Sequence, residues 1–102
     1  MKLIETNLER IFEICKKYKV KNLYAFGSVL SSDFNENSDI DLLVNFNNDK
    51  ISDSFLNFFD FIYELQDLLG RKIDLIDESS IQNPTFKSIV STTKELIYGE
   101  IA

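Results

Sequence analysis

The sequence predicts an α+β domain, a small mixed β-sheet with helices packed on it, in the order α-β-β-α-β-α. Three observations point there. Apolar residues recur at helical spacing over three segments, each bounded by a cap or a glycine. Three short runs of strand-forming residues lie between and beside them. The 102 residues, 44% of them apolar, suffice for a single compact domain spanning 1–102 and argue against disorder.

The first helix is expected over about Asn7 to Tyr18, because Ile4, Leu8, Ile11, Phe12, Cys15 and Tyr18 share one face. Thr6 with Glu9 three residues later reads as a capping box. A strand over about Asn22 to Phe26 ends at Gly27, and the segment from Val29 to Ser38 is mostly polar and turn-rich. A second strand follows over Ile40 to Phe46; apolar residues on both parities (Leu42, Val44 and Leu43) predict a central place in the sheet. The second helix is expected over Ser54 to Leu69, with Phe55, Phe58, Phe59, Ile62, Leu65 and Leu69 as its inward stripe and Gly70 as its stop. Phe61 falls off that stripe; the four phenylalanines of this helix read first as core packing, and the alternative is a partner-binding ridge with Phe61 and Tyr63 on its flank. Lys72 to Ile76 is the third strand. Asn83 caps a third helix with Pro84 at its first position; Phe86, Ile89, Val90, Thr93, Leu96 and Ile97 form its inward face and Gly99 ends it.

Composition removes several kinds of chemistry. Without histidine there is no Ser-His or Cys-His nucleophile and no imidazole ligand. Cys15 is the only cysteine, so neither an intrachain disulfide nor a cysteine zinc site can form; within the helical stripe it reads as a buried thiol. Oxygen ligands remain, and they suit hard cations such as Mg²⁺. A net charge of −6 does not attract phosphate backbones, so direct nucleic-acid binding is not expected. It favours a basic protein partner, and a domain this small often leans on a partner or on oligomerisation. Neither a membrane span nor a signal peptide is read, which fits a cytoplasmic protein.

The candidate site is Gly27-Ser28, ten residues, then Asp39-Ile40-Asp41. In a strand, residues i and i+2 project to one face about 6.7 Å apart, so Asp39 and Asp41 point together while Ile40 points into the core. Two such carboxylates repel unless a cation lies between them. Divalent metal is the economical explanation, and two ions can clamp the attacking and leaving oxygens of an in-line phosphoryl displacement. Glycine at position 27 lets backbone approach a phosphate closely, and amides around Ser28 with its hydroxyl offer an anion site. Asp74, amid apolar neighbours in Lys72-Ile73-Asp74-Leu75-Ile76, reads as a buried acid whose burial calls for a metal or a proton-transfer role, with a strand-end or edge acid facing water as the alternative. Asp77 suits a strand-ending turn. Ser31, Ser32, Asp33 and Ser38 read as loop residues, and Arg71 and Lys72 as solvated cations.

At these residues the chain resembles the DNA polymerase β-like nucleotidyltransferase superfamily and is most similar to the minimal (MNT-type) nucleotidyltransferases. Gly-Ser, ten residues, Asp-x-Asp and the tail Leu42-Leu43-Val44 are intact, and the third family carboxylate maps to Asp74. The resemblance implies the polymerase β-like palm fold. It also implies Mg²⁺-dependent transfer of a nucleoside monophosphate, AMP from ATP, to a hydroxyl, with two ions in the active complex. Asp39, Asp41 and Asp74 would hold metal and catalyse; Gly27 and Ser28 would bind nucleotide. Minimal members commonly stand beside HEPN-domain toxins and act as antitoxins, some by adding AMP to a toxin tyrosine. Many relatives carry Arg-Gly shortly after Gly-Ser, where this chain has Ser31-Ser32. That missing cation supports an alternative, a catalytically weak or inactive antitoxin that neutralises its partner by occlusion. An antibiotic-modifying enzyme is a third reading, weakened by the absence of an accessory substrate domain.

Overall fold

The computed structural model describes residues 2–27 and 39–99. Two helices open the chain, α1 (Lys2–Thr6) and α2 (Leu8–Lys17), broken at Asn7. The break has a local cause. Thr6 Oγ1 donates to the Lys2 carbonyl and Asn7 Nδ2 to the Leu3 carbonyl. The Thr6 hydroxyl is thereby engaged within its own helix, and the expected capping box with Glu9 does not form.

Four strands make one mixed sheet in the order β3-β2-β1-β4. β1 (Val20–Ala25) runs antiparallel to β2 (Ile40–Phe46), and β2 runs parallel to β3 (Ile73–Asp77). β2 is central, as its two apolar parities required. Its even positions, Ile40, Leu42 and Val44, enter the main core with Leu23, Ala25 and Ile73. That face is covered by α2, through Ile11, Ile14 and Cys15, and by α3 (Ser54–Leu69). Its odd positions face a thinner second layer, where Leu43 meets Tyr24 and Val90, with Phe26, Ile76 and Ile81 packed against them. Val90 belongs to α4 (Pro84–Thr93), which Asn83 caps by accepting from the Thr85 and Phe86 amides. Cys15 is fully buried, and burial pushes its thiol up to about 12, so it stays protonated and inert.

Two expectations are corrected. Of the expected inward face of the last helix Val90 is buried, whereas Phe86, Ile89 and Thr93 are exposed over a thin layer, and Leu96 and Ile97 do not continue the helix. α4 stops at Thr93, the Thr92 and Thr93 hydroxyls bond back to carbonyls one turn earlier, and Lys94 turns the backbone extended. Glu95–Gly99 is then a fourth strand, β4, antiparallel to β1. Gly99 is required there, because a side chain would strike the backbone of Lys21 and Asn22. The element order is therefore α-α-β-β-α-β-α-β. The second correction concerns α3. Phe61 is fully buried and stacks edge-on to Phe46 at 5.7 Å, with Leu65 and Leu69 below it, while Phe55 lies 70% exposed. The helix is apolar on more than one side, so periodicity alone did not decide which side turns inward.

Candidate active site

The end of β1 and the starts of β2 and β3 meet at one end of the sheet. β1 enters antiparallel and β3 parallel, so Gly27, Asp41 and Asp74 come from three adjacent strands at the same level. The Phe26 amide donates to the Asp41 carbonyl at 3.2 Å, and the Ile40 amide to the Lys72 carbonyl at 2.9 Å. These bonds fix the register in which Asp41 and Asp74 are direct cross-strand partners. Neighbouring strands lie about 4.8 Å apart, so the two carboxylates share one rung and one face, that of Leu43 and Ile76. Asp39 stands one residue before β2, half-buried.

Gly27 has a role that the sequence did not reveal. Its φ is +68°, and a Cβ built there would lie 2.6 Å from Asp41 Oδ2. The glycine is needed because the Asp41 carboxylate occupies the space of a side chain at position 27. Beside the expected approach of a phosphate, the geometry shows close approach of an acid.

Asp74 is exposed on an edge strand, so the expectation that it is a buried acid is corrected. The desolvation argument fails for it, while its register beside Asp41 stands. Asp77 accepts from the Ser79 amide and hydroxyl, the strand-ending turn anticipated for it. Lys72 was read as solvated, yet its Nζ lies 3.9 Å from Asp39 Oδ2 and sets one positive charge at the acidic end of the sheet. Ser28, Ser31, Ser32, Asp33 and Ser38 lie outside the described residues.

Among the described residues, no three acidic or cysteine side chains are gathered closely enough to hold a metal ion by themselves. The donor set still fits magnesium, which is ordinarily held by one or two carboxylates together with substrate phosphates rather than by an all-protein cage. All the nearby acid donors are oxygens, and Asp41 Oδ2 is seated against the backbone of Gly27.

A second polar group sits four residues further along the same strand pair, and sequence reading missed it. Asn45 Nδ2 donates to Asn22 Oδ1 at 2.7 Å and to Glu78 Oε1 at 2.6 Å. Lys94 Nζ donates to Glu78 Oε2 at 2.7 Å and lies 4.2 Å from the centre of the Tyr24 ring. Burial pushes the Glu78 carboxyl up, but the bonds from Lys94 and Asn45 outweigh it and hold the group below its ordinary 4.5.

A mixed sheet with a glycine corner facing paired acids is the frame of a nucleotide-transferring enzyme. The family described as polymerase beta, nucleotidyltransferase matches residues 9–100, and the chain belongs to it. A protein adenylyltransferase of Methanocaldococcus jannaschii is 42% identical over 81% of this chain and 80% of its own length. A solved minimal nucleotidyltransferase matches with a TM-score of 0.73 and 25% identity, covering 89% of each chain. The complex of a tri-AMPylated HEPN toxin with its MNT antitoxin from Shewanella oneidensis matches with a TM-score of 0.64 and 21% identity, over 95% of this chain and 73% of that one. That last likeness is one of fold.

Proposed function

We propose that this chain is a Mg²⁺-dependent protein adenylyltransferase. It moves AMP from ATP to a hydroxyl, a tyrosine of a HEPN-type partner toxin, and so acts as the antitoxin in the cytoplasm. The observation that carries the reading is the Asp41–Asp74 rung, with Asp41 held against Gly27. The adenylyltransferase relative and the HEPN–MNT complex support the choice of substrate and partner.

Asp39 and Asp41 would hold the metal with the triphosphate oxygens, and Asp74 would complete the set. Bound there, magnesium supplies charge neutralisation for the phosphates and for the leaving pyrophosphate. The chain's own part is positioning and proton removal. The acceptor oxygen attacks the α-phosphorus, the bond from that phosphorus to the α–β bridging oxygen breaks, and pyrophosphate leaves. The hydroxyl proton passes to a carboxylate, for which exposed Asp74 is well placed. Gly27 and Ser28 would flank the triphosphate. Incubation with α-labelled ATP, Mg²⁺ and the product of the neighbouring gene tests the reading. Label on the toxin tyrosine is expected; no label, when a related enzyme labels its own toxin in parallel, contradicts it.

The absence of an Arg after Gly-Ser, where this chain has Ser31-Ser32, favours a second reading, neutralisation by occlusion. If an Asp39→Ala/Asp41→Ala variant protects cells as fully as the parent, occlusion is the mechanism.

A further inference from the structure

The outward side of α3 bears an apolar stripe that folding leaves in solvent. Phe55, Phe59 and Tyr63 follow at four-residue intervals with Leu56 beside them, and their exposures are 70%, 38%, 62% and 55%. The Phe55 and Phe59 rings stack 4.8 Å apart, and Phe58 links Phe59 to the core ring of Phe46. The stripe is thus preorganised on a helix anchored by Phe61, which lowers the entropic cost of docking on it. Exposed acids border it at seven-residue intervals, Asp53, Asp60 and Asp67. A groove of about 290 Å³ opens at the stripe's N-terminal end between Leu56, Asp53 and Asp60 on one side and Lys19 and Lys50 on the other.

We propose that this stripe docks a helix of the partner protein, one carrying apolar residues on a heptad seam with Lys or Arg at seven-residue intervals beside it. The spacing of Asp53, Asp60 and Asp67 selects that basic pattern. A second copy of this chain is disfavoured, because each copy carries −6 and would bring its own acid line to the contact. α3 packs on the sheet face opposite Asp41 and Asp74, so a docked helix leaves the carboxylate end open. The inference rests on the proposed HEPN partner and names the surface that partner uses.

The experiment is calorimetric titration of the product of the neighbouring gene, the proposed HEPN partner, into the parent and two variants, Phe55→Ser/Phe59→Ser and Asp60→Lys/Asp67→Lys. Each is also titrated with AMP-PNP and Mg²⁺, and its folding is checked by circular dichroism. The aromatic variant is expected to bind the partner about a hundredfold more weakly. The charge-reversed variant should bind about tenfold more weakly and lose most of its salt dependence. Both should keep parental AMP-PNP affinity. Parental partner affinity in both variants overturns the surface and leaves the partner reading standing. Absence of partner binding by the parent overturns both. A parental dimer in sedimentation that Phe55→Ser/Phe59→Ser dissociates assigns the stripe to a second copy and also overturns the proposal.

Discussion

The Asp41–Asp74 rung and the Asn45–Glu78 contact lie four residues apart along β2, and their surroundings differ. At one end Asp41 stands beside Asp74, with Asp39 close in sequence and Lys72 Nζ 3.9 Å from Asp39 Oδ2. At the other end Asn45 and Glu78 belong to a closed network in which Asn22 and Lys94 satisfy the acid and amide groups. The side chains of Glu78 and Lys94 are only 19% and 20% exposed, whereas Asp74 lies open to solvent. An acid that a fold uses for its own cohesion is given a cation and is covered. Acids gathered side by side at a solvent-open strand end make a place for a cation from outside.

The comparison is broken most sharply at Asp41. Asp41→Asn is expected to reduce adenylyl transfer at least about a hundredfold while leaving thermal unfolding near the parental midpoint, as followed by labelled-ATP assay and calorimetry. Equal activity would place the open rung among ordinary surface acids. Glu78→Gln should do the reverse. It removes the charge that Lys94 neutralises in a half-buried place, and a loss of about 1–3 kcal/mol in denaturant unfolding is expected, with the magnesium dependence of transfer unchanged.

Gly27→Ala links the two kinds of effect. The left-handed backbone at position 27 costs a residue with a side chain about 1–2 kcal/mol, and the added methyl collides with the Asp41 carboxylate. Stability and the magnesium concentration at half-maximal activity should therefore both shift.

The closed rung also carries a pH signature. The Glu78 pKa is depressed in the fold, so its stabilisation is fully present above the ordinary 4.5 and is lost as pH falls through the lower folded value. Unfolding midpoints of the parent and Glu78→Gln should therefore converge below pH 4.5 and separate above it. The smallest effect belongs to Lys72→Ala. The lysine side chain is 74% exposed, and such pairs are worth about 0–1 kcal/mol, so a change of a few-fold in AMP-PNP affinity is expected by titration.

Much of this was legible in the residues, for identifiable reasons. β2 and α3 begin and end close to where alternation, the helical stripe and Gly70 place them, because each signal acts within a few residues. The place of Asp39 and Asp41 at the opening of β2 was legible because an apolar strand follows them directly. β4 was not, since Leu96 and Ile97 also continue the helical stripe of α4, and what stops that helix is the pair of threonine hydroxyls bonding backwards. The buried place of Phe61 was hidden by aromatic residues on more than one side of α3. The reason for Gly27 and the network around Glu78 depend on strand register. Asn22, Asn45, Glu78 and Lys94 lie far apart in sequence and meet only after β1, β2 and the α4–β4 junction are packed.

Titration of the parent and of Asp41→Asn with AMP-PNP, in Mg²⁺ and in EDTA, tests the central claim most directly. Saturable binding by the parent in Mg²⁺ is expected, with loss in EDTA and in Asp41→Asn and retention in Glu78→Gln. Parental affinity in Asp41→Asn, or equal affinity with and without Mg²⁺, would contradict the assignment of the open rung to a metal-bound nucleotide.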